Sequence, residues 1–229
     1  MSIICEIGQN FCSDLELAKK LILLAKENGG DLAKFQLYDT DKLYTPDTEL
    51  YRLAKESELT QEQAQMLFSY GESIGMEVFF SVFDVEKVMW CEDIGVKRYK
   101  IACRDVENYS LQLAVLGTDK PVFMSLPYGK RPQPTYYFRD DHFTFLYCVP
   151  EYPSPLDKIK IHDSGECSGF SDHSIGIEVA KIYLANYRNT VIEKHFCISH
   201  NVGVDGKWSM TPKELRELKR WENVISQVL

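Results

Sequence analysis

The sequence predicts an α/β fold of the (β/α)8 TIM-barrel type, and three observations carry the prediction. Short apolar segments alternate with amphipathic ones along most of the chain; eight of the apolar segments can be counted; and no Gly-rich phosphate fingerprint of an open doubly wound sheet intervenes. At 229 residues the expectation is one domain, 1–229, large enough to bury its own core.

Taken in order, "IICEI" reads as strand one. The segment "SDLELAKKLILLAKENGG" follows with a capping residue, a helical repeat of apolar positions and closing glycines. "LAKFQL" is strand two and "LTQEQAQMLFSYGESIG" the next helix. "EVFFSVF", "DVEKVMWCEDIG", "KRYKIA", "NYSLQLAVLG" and "PVFMSL" continue the alternation through strand five. The rhythm then breaks. The proline-rich, aromatic stretch 127–141 has no amphipathic repeat, so the helix after strand five is expected to be missing or shortened. "FTFLYCV" is strand six, "CSGF" strand seven and "TVIEKHF" strand eight, with helices from "SIGIEVAKIYLANY" and "TPKELRELKRWENVISQV". An apolar flank left bare by the missing helix would present Tyr136, Tyr137 and Phe138 as contact residues, which predicts a homo-oligomer.

Composition narrows the function classes. Hydrophobic residues at 45% and charged residues at 26% are globular proportions. A formal charge of −8 opposes phosphate backbones, so no nucleic acid is expected as a partner. No apolar run approaches the ~20 residues that span a bilayer, and the first residues lack a basic start and a long apolar region, so the expectation is a cytoplasmic protein with no membrane partner. The seven cysteines are scattered without a C-x-x-C; Cys5, Cys148 and Cys197 lie inside apolar runs where reduced core thiols sit.

In a barrel of this kind the active site lies at the C-terminal ends of the strands. The polar residues there are Glu6, Lys34, Ser81, Lys100, Ser125, Ser171 to His173, and His195. Any one alone is more often a hydrogen-bonded rim residue or an outward, solvated side chain. Together, burying two ammoniums, a carboxylate and two imidazoles costs several kcal/mol each without a ligand, so something anionic is expected among them. Lys34 and Lys100, with no carboxylate partner evident in their own strands, suit the phosphate and carboxylate of a phosphorylated acid. His173 and His195, from adjacent strands, can offer two nitrogens to one divalent ion and leave coordination positions open.

"IICEIGQN", "AKFQ", "YKIA", "EYPSP", "GFSDHSIGIEVA", "VIEKHF" and "GVDGKWSM" occur in this order from about Ile3 to Met210. By these segments the chain resembles the sialic acid synthases, a family that includes N-acetylneuraminate, legionaminate and pseudaminate synthases. The resemblance implies a (β/α)8 barrel that condenses phosphoenolpyruvate with the open-chain aldehyde of an N-acyl amino sugar and releases phosphate. It implies a divalent metal, Mn2+ first, with Mg2+ or Co2+ as alternatives. It assigns Glu6 to catalysis, Lys34, Ser81, Lys100, Ser125 and Ser171 to phosphoenolpyruvate, and His173 and His195 to the metal. Gln36, Tyr152 and Asp205 are placed near the sugar or at the pocket edge.

The chain also departs from the family pattern. "SLPY" stands for the usual "STGM" after strand five, Cys103 for a serine in the substrate pocket, and Phe11 and Tyr147 for histidines, changes expected to retune the acceptor or weaken catalysis. Family members continue into a small antifreeze-like domain that reaches a partner's sugar site. For a chain that stops at Leu229, the resemblance leaves that cover to barrel loops or to a separate chain. Two alternatives therefore stand beside the synthase: a non-catalytic barrel that keeps the ligand pocket as a binding or partner subunit, and a related synthase that uses a different aldose acceptor.

Overall fold

A computed structural model describes residues 1–128, 142–163 and 167–228. Eight parallel strands close in sequence order, β1 to β8, and β8 pairs with β1. They are β1 Ser2–Glu6, β2 Leu32–Leu37, β3 Glu77–Val82, β4 Tyr99–Ile101, β5 Val122–Pro127, β6 Phe143–Cys148, β7 Gly169–Asp172 and β8 Val191–His195. The (β/α)8 barrel expected from the sequence is thus the observed fold.

Strand alternation divides the barrel into two layers. Ile4, Leu32, Phe79, Phe123 and Leu146 form a compact inner apolar cluster, with Val191 against it. Two residues further along the same strands stand Glu6, Lys34, Ser81, Ser125, Cys148 and Glu193. Period-two geometry keeps residues i and i+2 on one face, so the apolar layer is a floor and the polar layer lies directly above it. Gly169 is the β7 member of the floor. A Cβ there would lie 2.4 Å from Leu146 Cδ2 and 2.6 Å from the Val191 carbonyl, so the filled floor admits no side chain at this position.

Helices cover the outside. α1, Leu15–Glu27, is capped by the Asp14 carboxylate on the Glu16 and Leu17 amides and buries Ala18, Leu21, Ile22 and Ala25 at helical spacing. Between β2 and β3 the chain forms three helices, α2 Thr40–Leu43, α3 Glu49–Glu56 and α4 Gln61–Ile74. The sequence had indicated only the last of these. α2 and α3 start from the caps Asp39 and Thr48, but α3 buries only Ala54, so no apolar stripe advertised it. α4 carries a reciprocal capping box between Thr60 and Gln63. α5 Val85–Ile94, α6 Tyr109–Leu116, α7 Glu178–Asn186 and α8 Pro212–Val228 complete the layer.

In the β6–β7 crossover only 3-10 turns occur among the described residues, at Leu156–Lys158 and Ile161–Asp163. Pro150, Pro153 and Pro155 remove backbone donors that a helix here would need. The expected loss of the helix after β5, and the contact surface expected of Tyr136, Tyr137 and Phe138, concern residues 129–141, which lie outside the described residues. β7 begins two residues later than expected and reaches Asp172, which puts Ser171 inside the strand.

Phe11 and Tyr147, two of the replacements expected to retune the acceptor or weaken catalysis, do not line the central cavity. Phe11 packs edge-on against Phe35 with ring centroids 6.0 Å apart, and both are buried. Tyr147 stacks on Phe170 at 5.5 Å, and its hydroxyl accepts from the Lys160 amide at 3.0 Å. Tyr147 immediately precedes the floor-and-rim parity position Cys148, so alternation turns it outward into the helix layer. No helix of the described residues is long and apolar enough to cross a membrane.

Candidate active site

Above the apolar floor opens a cavity of about 660 Å³. Its lining includes Glu6, Lys34, Gln36, Ser81, Lys100, Cys103, Ser125, Tyr152, Ser171, His173, His195 and Asp205, whereas Asp172, also expected there between Ser171 and His173, is not part of it. Glu193 joins the lining, and the sequence reading had passed over it.

Glu193 changes the charge balance of the site. Lys34 Nζ lies 3.1 Å from Glu6 Oε2 and 3.1 Å from Glu193 Oε2, and donates to Ser81 Oγ at 2.8 Å. Lys100 Nζ lies 3.5 Å from Glu193 Oε1 and donates to the Ile101 carbonyl at 3.2 Å. The four charged side chains are between 3% and 6% exposed. Two ammoniums therefore meet two carboxylates, and the cluster is formally neutral without a ligand. This corrects the expectation that an anion is needed to offset buried positive charge: the lysines have no carboxylate in their own strands, and find theirs on β1 and β8. The partner of both is on β8, in register with Ser171 of β7.

The ionisation equilibria follow from these contacts. Burial opposes the Lys34 charge, but Glu193 and then Glu6 outweigh it and raise its pKa. Lys100 goes the other way: burial lowers its pKa, and Glu193 only partly offsets that. Burial would raise the Glu193 carboxyl, but Lys100, Lys34 and the Ser171 hydroxyl together bring it down to about 2. Lys34 has three protons and three oxygens within 3.1 Å, so its donors are engaged. Lys100 keeps spare capacity. Ser125 Oγ is buried and has no hydrogen-bond partner among the described residues.

Glu6 is held from two sides, because Gln36 Nε2 donates to its Oε1 at 2.6 Å and Lys34 approaches the other oxygen. Gln36 thus serves Glu6 directly. Cys103 lies beside Cys148, and this contact together with burial keeps the Cys148 thiol well above its ordinary pKa.

The two histidines face each other across the β7–β8 seam with ring centroids 5.7 Å apart. His173 Nδ1 lies 3.0 Å from the Val149 carbonyl, which can only accept, so Nδ1 carries the hydrogen and Nε2 the lone pair. Burial and the neighbouring His195 bring its pKa down to about 3, so the ring is neutral near pH 7. Ser171 Oγ lies 2.9 Å from Glu193 Oε1 and 3.3 Å from His173 Nε2. Its single hydrogen goes to the nearer and charged acceptor, which leaves the Nε2 lone pair without a donor. His195 Nδ1 faces Asp205 Oδ2 at 3.2 Å, so its Nε2 is likewise the free nitrogen. Burial lowers the His195 pKa, and Asp205 more than offsets it, with Glu6 adding to the rise. The neutral His173 ring offers its Nε2 lone pair. His195, whose raised pKa favours a second proton, offers Nε2 once a cation displaces that proton; on those terms the pair fits a divalent cation in donor chemistry. Among the described residues, no group of three His, Cys, Asp or Glu side chains is placed to hold one. Asp205, expected near the sugar or at the pocket edge, lines the cavity and also backs His195. Tyr152 lies over His173 at 4.2 Å and 6.0 Å from the His195 ring.

Asn10, unremarked within "EIGQN", shapes this wall. Its amide donates to the Phe196 carbonyl at 3.0 Å and to Ser209 Oγ at 2.9 Å, and its Oδ1 accepts from the Asp205 amide at 2.9 Å. Gly203 sits at φ 91°, and a Cβ there would be 2.3 Å from Asn10 Oδ1, so the loop can close on Asn10 only with glycine. Asn10→Ala leaves a buried carbonyl, amide and hydroxyl short of a partner. We predict a loss of ~1–3 kcal/mol in urea denaturation and faster hydrogen exchange confined to residues 197–209. Unchanged stability and exchange would contradict the assignment.

Comparison with known proteins gives a consistent result. A family model described as the NeuB family matches residues 21–229. The chain is 30% identical over 241 residues to an uncharacterised protein of Methanocaldococcus jannaschii, covering 99% of this chain and 71% of that protein. It is 28% identical to the N,N'-diacetyllegionaminic acid synthase of Legionella pneumophila over 94% of this chain and 69% of the enzyme. Among solved structures, the N-acetylneuraminic acid synthetase of Leptospira borgpetersenii in complex with citrate superposes with a TM-score of 0.88 at 27% identity, over 99% of this chain and 84% of that one.

Proposed function

Because the chain belongs to the NeuB family, we propose that it is a synthase that condenses phosphoenolpyruvate with the aldehyde of an N-acyl amino sugar to give a sialic-acid-like 2-keto sugar acid and phosphate. The observation that carries this reading is one cavity in which the Lys34–Glu6–Glu193–Lys100 cluster stands beside two imidazoles with uncommitted Nε2 atoms.

In the reaction the enol carbon of phosphoenolpyruvate bonds to the aldehyde carbon, water adds at C2, and phosphate leaves. Lys100 and Ser125, the groups with donor capacity to spare, hold the anionic donor; Lys34 sets the position of Glu6 and Glu193 from within the cluster. Glu6 moves protons, and Gln36 and Lys34 fix both its oxygens so that it faces one place. His173 and His195 would hold a divalent ion, Mn2+ first, which supplies Lewis-acid polarisation of a carbonyl oxygen. Tyr152 closes the histidine side of the cavity and offers a phenol to the acceptor.

Lys100→Met is expected to weaken phosphoenolpyruvate binding by ~10- to 100-fold, the value of a charge-assisted hydrogen bond, with little change in acceptor KM. Calorimetry that finds wild-type donor affinity in this variant would remove Lys100 from the donor site. The function itself is tested by incubating the purified chain with Mn2+, phosphoenolpyruvate and a panel of N-acetyl and di-N-acetyl hexosamines. The expected product has the summed mass of donor, water and sugar less phosphoric acid. Its absence with every sugar would favour the pocket as a binding module.

A further inference from the structure

We propose that the buried pair Asp172–Lys194, on the outer face of the barrel, is a positioning device that sets the spacing of the His173 and His195 imidazoles. The inference rests on the two-histidine site proposed above and concerns how that site is held. Asp172 and Lys194 are register partners on β7 and β8, and each immediately precedes one of the histidines. Alternation therefore turns the pair away from the cavity while His173 and His195 turn towards it.

Both side chains are fully buried, at 0% exposure, and their contacts form a closed set. Lys194 Nζ donates to Asp172 Oδ2 at 3.0 Å and to the Ser174 carbonyl at 2.7 Å. Asp172 Oδ1 accepts from the Ser174 amide at 2.8 Å and the Ser174 hydroxyl at 2.6 Å. The residues on either side of His173 are thus fastened to the residue before His195. The His173 carbonyl is itself fixed by the Ser154 amide at 2.9 Å, so the backbone that carries this ring is held on three sides.

Stability alone does not call for an ion pair here. The strands already pair at four register positions, and apolar side chains of similar volume replace buried ion pairs with little loss of stability. What apolar side chains cannot do is tie the 172–174 turn to one point on β8. A charged group that reaches both the carboxylate and the Ser174 carbonyl does so, and it fixes the 5.7 Å separation of the rings without occupying the cavity. Residues that orient metal ligands from behind typically change metal affinity by ~10- to 100-fold when lost.

The test is a paramagnetic resonance titration of free Mn2+ with wild type and with the double variant Asp172→Asn, Lys194→Met, which removes both charges at nearly constant volume. The double variant is expected to keep the wild-type fold by circular dichroism, to bind Mn2+ ~10-fold or more weakly, and to broaden the spectrum of the bound ion. A folded double variant with wild-type affinity and line shape would overturn the inference while leaving the two-histidine site standing. A wild type that binds no Mn2+ would remove the site and the inference together. Should the double variant not fold, Lys194→Arg decides: it keeps the charge but alters the donor geometry. At least threefold weaker Mn2+ binding supports the positioning role, and unchanged binding overturns it.

Discussion

Glu193→Ala is expected to destabilise the barrel by ~3–5 kcal/mol, the usual effect of removing one partner from a buried ion cluster. Lys34 and Lys100 both lean on this carboxylate, at 3.1 and 3.5 Å, and both are buried. Against a total folding stability of ~5–15 kcal/mol such a loss is readily seen in chemical denaturation. Glu193→Gln keeps the shape and should cost less, yet it should change the pH dependence. With a folded pKa of about 2, below the ~4.3 of an unconstrained glutamate, Glu193 binds fewer protons folded than unfolded. Its contribution is present above the unfolded value and is lost as pH falls through about 2. The slope of unfolding free energy against pH between ~4.5 and ~2 should therefore be shallower in Glu193→Gln. Parallel curves for wild type and variant would show that Glu193 does not carry this charge in the folded protein.

The second large effect is expected of His195→Ala. It removes one of two uncommitted imidazole nitrogens and leaves the Asp205 carboxylate facing an empty position. With no third His, Cys, Asp or Glu among the described residues to complete a metal site, His173 alone is a poor ligand for a divalent ion. Mn2+ affinity is expected to fall by at least ~100-fold and condensation with it, a larger loss than the ~10- to 100-fold typical of residues behind the ligands. His195→Gln, which keeps a polar side chain of similar reach, should recover little. A variant that retains wild-type Mn2+ binding would show that the cation sits elsewhere.

Much of this site could be read from the chain because barrel strands are short and alternate strictly. Glu6, Lys34, Lys100 and His195 interrupt apolar strands at their C-terminal ends, and the fold brings all of them to one cavity. The same alternation would have found Glu193: a residue two before an inward His195 must also point inward. A lone glutamate in a strand gives no such signal by its type, because a charged residue there more often faces solvent. Asn10 left no signal, since its partners lie 186 to 199 residues away in sequence. Phe11 and Tyr147 drew an expected effect on acceptor or catalysis from sequence correspondence alone, whereas parity and packing place Tyr147 in the helix layer and Phe11 against Phe35. α3 was invisible because capping residues without an apolar stripe do not form a helix pattern.

The most direct test of the account is a crystal structure of the chain with Mn2+ and phosphoenolpyruvate. The account predicts an ion within ~2.0–2.3 Å of Nε2 on both His173 and His195, and a donor anion against Lys100 and Ser125 in the same cavity. An ordered donor bound away from Lys100, or an ion that touches neither imidazole, would contradict it.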